Sequence, residues 1–83
     1  MEMVIVEIAV PAIGEKFDFK LPCSVKIREI IPELARILEM TKGNVQFDVE
    51  NAMLCDLDHA RVLNPNLTAA NQQITDGTCL QLL

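Results

Sequence analysis

Cys55, Asp56, Asp58 and His59 fall within five consecutive residues, the one stretch of this 83-residue chain where thiol, carboxylate and imidazole groups crowd together. Such groups could ligate a divalent metal, or pair a thiol nucleophile with an imidazole base. Their spacing works against both. On an extended strand Cys55 and Leu57 point to one face while Asp56 and Asp58 point to the other, so the four groups do not converge. His59 stands where a turn is expected. The stretch therefore reads as a solvated hairpin tip with Cys55 buried.

Nothing else in the chain offers chemistry of its own. It has a single His, no Gly-flanked Ser, and only an isolated Gly14 where a phosphate loop would need several glycines. Cys23, Cys55 and Cys79 are odd in number and far apart, which provides neither a disulfide framework nor a CxxC motif. They read as small buried hydrophobes. No catalytic residue, metal site or cofactor is expected, and the chain is not read as an enzyme.

Composition narrows the class further. Half the residues are apolar (51%), and one domain over residues 1–83 is expected because so short a chain supports a single core. No apolar run approaches the roughly 18 residues of a membrane-spanning helix, so direct membrane insertion is not expected. The start, MEMVIVEIAVPAIGEKF, is acidic and alternating rather than basic and then continuously apolar, which predicts a cytoplasmic protein with no secretory leader. Twelve acidic against seven basic side chains give a net charge of −5, and there is no Trp or Tyr. That balance excludes a phosphate-backbone footprint and leaves few platforms for stacking bases, so nucleic acid is not an expected partner.

Strand one is predicted over Met3–Val10, and Pro11 and Gly14 form the turn after it. Its alternate residues Val4, Val6, Ile8 and Val10 are all apolar and belong to the core, which turns Met3, Ile5, Glu7 and Ala9 outward. Lys16 to Leu21 alternates with period two and closes a hairpin, with Phe17, Phe19 and Leu21 on one face. After Pro22 the period changes to three and four: Ile27, Ile30, Ile31, Leu34, Ile37 and Leu38 form a helical stripe, with Arg28, Glu29, Glu33, Arg36 and Glu39 opposite. Ser24 suits the N-cap and Gly43 the C-terminal stop. Pro32 predicts a distorted first turn or a kink between Arg28 and Pro32.

Residues 41–51 are ambiguous, since Val45, Phe47 and Val49 alternate like a strand while Gly43, Asn44 and Asn51 punctuate like a loop. Met53–Leu57 and Arg61–Leu63 form a second hairpin across Asp58-His59-Ala60. Asn64-Pro65-Asn66 turns, Thr68–Gln73 makes one short helical turn, and Asp76-Gly77 opens a last strand, Thr78–Leu83, with Leu80 and Leu82 inward. The sum is an α+β fold in which one main helix covers one face of a mixed sheet of four to five strands.

Two stretches carry a family likeness. LPCSVKIREIIPEL, Leu21 to Leu34, resembles the helix region of the ubiquitin-like domains of type VII secretion systems, which often run Leu-Pro, a short polar bridge, then Val-x-Glu-Leu-Leu-Pro-x-Leu. LNPNLTAANQQITDGTCL, Leu63 to Leu80, resembles their closing motif, in which Leu-Asp-Pro leads to Asp-Gly and a final strand. The order of elements is similar to the ubiquitin-like β-grasp over essentially the whole chain. Pro32 is then a feature of the helix. Two departures stand out: Ala69 replaces a larger aliphatic residue, and Gln73 occupies a position where Gly is common.

The resemblance is to the stand-alone YukD/EsaB-like proteins rather than to the EccD-like membrane subunit. It implies a small, non-catalytic adaptor or regulator that contacts membrane subunits or the ATPase of the secretion apparatus, peripheral to the inner face of the membrane through those partners. The clients implied are small helical proteins with a Trp-x-Gly turn. Two alternatives stay open: a sulfur carrier or protein modifier, disfavoured by the absence of a Gly-Gly tail after Gln81-Leu82-Leu83, and a β-grasp interaction module with no secretion role. The helix charges read as a solvated face, so binding is expected on the outer face of the sheet, with Met3, Ile5 and Arg61 as the candidate protein-binding surface. Oligomeric state is not legible, although an edge strand could template a dimer.

Overall fold

Strand β1 (Met3–Val10) pairs antiparallel with β2 (Glu15–Pro22) through eight register positions, from Met3 opposite Pro22 to Val10 opposite Glu15. The structure is a computed structural model and describes residues 2–83. A 3-10 turn at Pro11–Ile13 joins the strands, and Gly14 closes it at φ 65°, donating its N–H to the carbonyl of Pro11. The positive φ is why a glycine suits this corner. Helix α1 (Ile27–Lys42) follows, then β3 (Leu54–Asp56), β4 (Arg61–Val62), a 3-10 turn at Ala70–Gln72, and β5 (Cys79–Leu82). The sheet order is β2-β1-β5-β3-β4, with β1 and β5 parallel and the other pairs antiparallel. This is the five-stranded mixed sheet with one main helix that the element order implies.

Alternation places the core. Val6, Ile8 and Val10 from β1, Leu80 and Leu82 from β5, and Leu54 from β3 are buried. They meet a helical stripe of Ile27, Ile30, Ile31, Leu34, Ala35 and Leu38. Ala35 takes the place expected for Ile37, which is 40% exposed. The period-three-and-four rule admits both positions, and Ala35, 2% exposed, is the one turned into the core.

Ser24 does not cap the helix. Lys26 is the N-cap, and it makes no side-chain cap bond. The orphan N–H groups of Ile27 and Arg28 are instead taken by the carbonyls of Leu67 (3.0 Å) and Pro65 (2.9 Å), so a distant loop does the capping. Pro32 lies inside an otherwise continuous helix. Both Pro32 and Arg28 are on the exposed face, so the carbonyl that Pro32 leaves without a helical partner faces water rather than the core. Gly43 ends the helix at φ 77° and donates its N–H to the Glu39 carbonyl.

Residues 43–53 form no strand. The segment is pinned by Phe47, which packs against the core and donates its backbone N–H to Glu39 Oε2 at 2.9 Å. The second hairpin is shorter than expected, although Met53 and Leu83 exchange both backbone bonds (2.8 and 2.9 Å) and prolong the β3–β5 pairing by one residue.

Gln73 adopts a left-handed conformation at φ 62° and is exposed. For a residue with a Cβ that conformation costs about 1–2 kcal/mol. Gln73→Gly is therefore expected to stabilise the fold by about 0.5–1 kcal/mol, after allowing for the extra freedom glycine gives the unfolded chain. Thermal melts check it, with Gly77→Ala as the opposite control: Gly77 has φ 88°, so that variant should melt lower.

Candidate interaction surface

The face of the sheet away from α1 is set by the same alternation that builds the core. One row crosses all five strands: Lys16, Ala9, Gln81, Cys55 and Val62 are successive register partners. Val62 is 57% exposed on the edge strand, and Met53 and Leu83, paired beside Cys55 and Gln81, are 45% and 52% exposed. These side chains make an apolar corner at the β3–β4 end. Met3 and Ile5 are exposed at the opposite end of the face, 46% and 49%. Ile5 is held in place by Asp76, whose Oδ1 accepts the Ile5 N–H at 2.8 Å, while Gly77 N–H donates to the Ile5 carbonyl. The Asp76 side chain thus stands in for a strand carbonyl before β5 begins.

The inner side of the β3–β4 hairpin is built around a charge. Asp56 is fully buried, and each of its oxygens accepts two bonds. Oδ1 receives the backbone N–H groups of Asp58 (3.1 Å) and His59 (3.3 Å), and Oδ2 meets His59 Nδ1 (2.8 Å) and Arg61 Nε (3.1 Å). Burial alone would raise the carboxyl pKa, but the bonds from His59 and Arg61 outweigh it and hold Asp56 below its ordinary range. Arg61 continues the chain of contacts by donating Nη2–H to the backbone carbonyl of Gln72. The buried Gln72 side chain then brackets the peptide of Asn64, accepting its N–H at 2.7 Å and donating to its carbonyl at 3.1 Å. Asn64 opens the loop whose carbonyls cap α1, so one polar relay runs from the hairpin to the helix start.

This geometry reverses the expected polarity of the hairpin. Asp56, not Cys55, is buried, because Asp56 is paired with Leu80 and shares its inward face. Cys55 and Cys79 are half-buried on the outer face and only Cys23 is buried. The Asp56 carboxylate has no unused oxygen to offer a metal, and among the described residues no group of three or more ligand-type side chains is arranged to hold one. Met3 and Ile5 share the outer face, but Arg61 does not join them: its row, Ile8-Leu80-Asp56-Arg61, belongs to the helix side. Met53, Val62 and Leu83 escape a sequence reading because each looks like an ordinary strand residue. The parity of Asp56 against Leu80 is the signal that places them outward.

Residues 4–82 match the family described as WXG100 protein secretion system (Wss), protein YukD. The chain belongs to the YukD family. Among solved structures, this YukD-family chain is similar to the ubiquitin-like domain of EccD5 from Mycobacterium xenopi, with TM-score 0.80 and 22% identity over 100% of this chain and 94% of that one. It is also similar to the ubiquitin-like domain of the type VII secretion system protein ECCD1 of Mycobacterium tuberculosis, with TM-score 0.76, 17% identity, and coverage of 100% and 99%. A chain of the MycP5-free ESX-5 inner membrane complex matches with TM-score 0.79 and 17% identity, the likeness covering 100% of this chain and 21% of that one. At these identities the structures establish the ubiquitin-like fold, and family membership ties it to type VII secretion. Comparison with curated protein sequences gives no match. No helix among the described residues is long and apolar enough to cross a membrane.

Proposed function

We propose that this YukD-family chain is a non-catalytic adaptor of a type VII secretion system, working in the cytoplasm at the inner face of the membrane by protein contact with membrane subunits or the ATPase of the apparatus. The observation that carries this reading is the outer sheet face, where Met53, Val62 and Leu83 at one end and Met3 and Ile5 at the other leave large apolar side chains in water on a fold of this family. Exposed apolar groups that adjoin one another, as Met53, Val62 and Leu83 do, mark interaction sites. The similarity to a chain of an inner membrane complex supports the kind of partner, and the four internal contacts on Asp56 support a structural rather than a catalytic use of the one reactive-looking cluster. Arg61 contributes through the relay that keeps the hairpin in place.

Capture of partners from native membrane extract by the tagged protein, read by mass spectrometry, tests it. The unaltered chain is expected to recover membrane subunits or the ATPase. Val62→Asp and Ile5→Asp, one at each end of the face, probe where contact occurs; at least one should reduce recovery about tenfold while both melt within a few degrees of the unaltered chain, because exposed positions tolerate substitution. Arg61→Glu is unsuitable, since it would break the Asp56 relay. Recovery of only an activating enzyme, or a covalent adduct, overturns the adaptor reading.

A further inference from the structure

Among the described residues the sheet has one long free edge, and its side chains define what could lie along it. Strand β2 is at the end of the strand order with eight residues, whereas the opposite edge, β4, has two. Cys23 N–H donates to the Glu2 carbonyl, which sets the phase of the β1–β2 ladder. Counting along it in twos, Leu21, Phe19 and Phe17 bond inward to β1, so the backbone N–H and C=O groups of Lys16, Asp18 and Lys20 point away from the sheet. Pro22 ends this row by having no N–H. On the helix side of the edge, Phe17 and Phe19 are only half-buried, their rings 6.2 Å apart. On the outer side stand Lys16, Asp18 and Lys20, all exposed. Lys16 has one contact at the limit of an ion pair, Glu7 at 3.9 Å.

We infer that β2 is a strand-addition site for an extended protein segment that alternates apolar and acidic residues. Three free donor–acceptor positions give such a segment a ladder to join. Its apolar side chains, on one parity, would extend the half-buried Phe17–Phe19 surface. Its acidic side chains, on the other parity, would stand opposite Lys16 and Lys20 across the new ladder, where opposite charges stabilise the pair. The matching pattern over five residues is acid, apolar, polar, apolar, acid, with the central residue opposite Asp18. Edge lysines also deter indiscriminate pairing, and here they select by charge. A second copy of this chain fits poorly: the antiparallel register that overlaps all three free positions sets Lys16 against Lys20 and Asp18 against Asp18, like charges directly opposite. This inference concerns a different surface from the apolar outer face, although it shares the premise that the chain works by protein contact.

The test uses the full chain and a synthetic nine-residue peptide carrying Glu-Val-Ser-Val-Glu at its centre, with binding followed by fluorescence anisotropy and by amide shifts. Binding is expected with shifts concentrated at Lys16, Asp18 and Lys20, and with slowed hydrogen exchange at those amides. The double variant Lys16→Glu with Lys20→Glu should weaken binding about tenfold and regain it for the Lys-Val-Ser-Val-Lys peptide. N-methylation of the peptide backbone on the ladder-facing residues should abolish binding of either peptide. No measurable binding at millimolar peptide, shifts confined to Met53, Val62 and Leu83, or concentration-dependent shifts at β2 without peptide would each overturn the inference, the last by making a second copy the occupant. The same lysine double variant, run in the membrane-extract capture, separates the two ideas: full recovery of secretion subunits leaves the adaptor reading intact and removes those subunits as the strand donor.

Discussion

Asp56→Asn is expected to destabilise the fold by about 3 kcal/mol, the scale of breaking a buried charged pair from one side. The amide keeps one acceptor oxygen for the N–H groups of Asp58 and His59. It must, however, turn an NH2 donor toward Arg61 Nε and His59 Nδ1, both of which now meet an oxygen. For a domain of this size the loss corresponds to a fall in Tm of about 12–24 °C. The charge also fixes the pH dependence. Asp56 titrates below its ordinary range in the folded chain, so in acid the unfolded chain binds the proton first. Stability from this group is thus fully present above the unfolded carboxyl's pKa, about 4, and is lost as pH falls through the lower folded value. Urea titrations of both proteins from pH 6 downward should show a constant gap until about pH 4 and a narrowing one below it. An unchanged gap at the acid end would mean that Asp56 is not held as a carboxylate.

The same residue marks where the sequence stopped being legible. Val4-Val6-Ile8-Val10 and the helical stripe could be read because burial there follows from local period: a whole face is apolar, and no other register hides it. The order of elements followed from these periods and from Gly14, Gly43 and Asp76-Gly77 at the turns. Asp56 breaks such reasoning. Its burial depends on partners three and five residues ahead and on a carbonyl at Gln72, contacts that no hydropathy pattern encodes. Once Asp56 is inward, Cys55 and Val62 must be outward, so one misjudged parity hid half of the candidate surface. Ser24 failed for a related reason. A local rule assigns the cap to a nearby hydroxyl, whereas the carbonyls that meet the helix start belong to Pro65 and Leu67, about forty residues further along the chain, a contact that no local period encodes. Met3 and Ile5 were legible as outward because β1 settles its own parity.

That relay carries the second large effect. Gln72→Leu keeps the volume of a side chain that is only 6% exposed but leaves the Asn64 N–H and the Thr68 carbonyl without the partner they have now, and leaves the Asn64 carbonyl with the Leu67 N–H alone. Each buried polar group left unmatched costs about 1–3 kcal/mol, and partial exposure of the loop brings the expected total to about 2–3 kcal/mol by chemical denaturation. The location of the damage is the sharper test. Asn64, Pro65 and Leu67 lie on one short loop, so freeing Asn64 should loosen the carbonyls that cap Ile27 and Arg28, and hydrogen exchange at those two amides should speed up more than at Leu38 in the middle of the helical ladder. Arg61 reaches the backbone oxygen of Gln72, which the substitution leaves in place but no longer positions. Arg61→Lys and Gln72→Leu should therefore be non-additive, with a coupling of about 1 kcal/mol. Strict additivity, with uniform exchange along α1, would mean that hairpin and helix start are held independently and that the contacts between them form no relay.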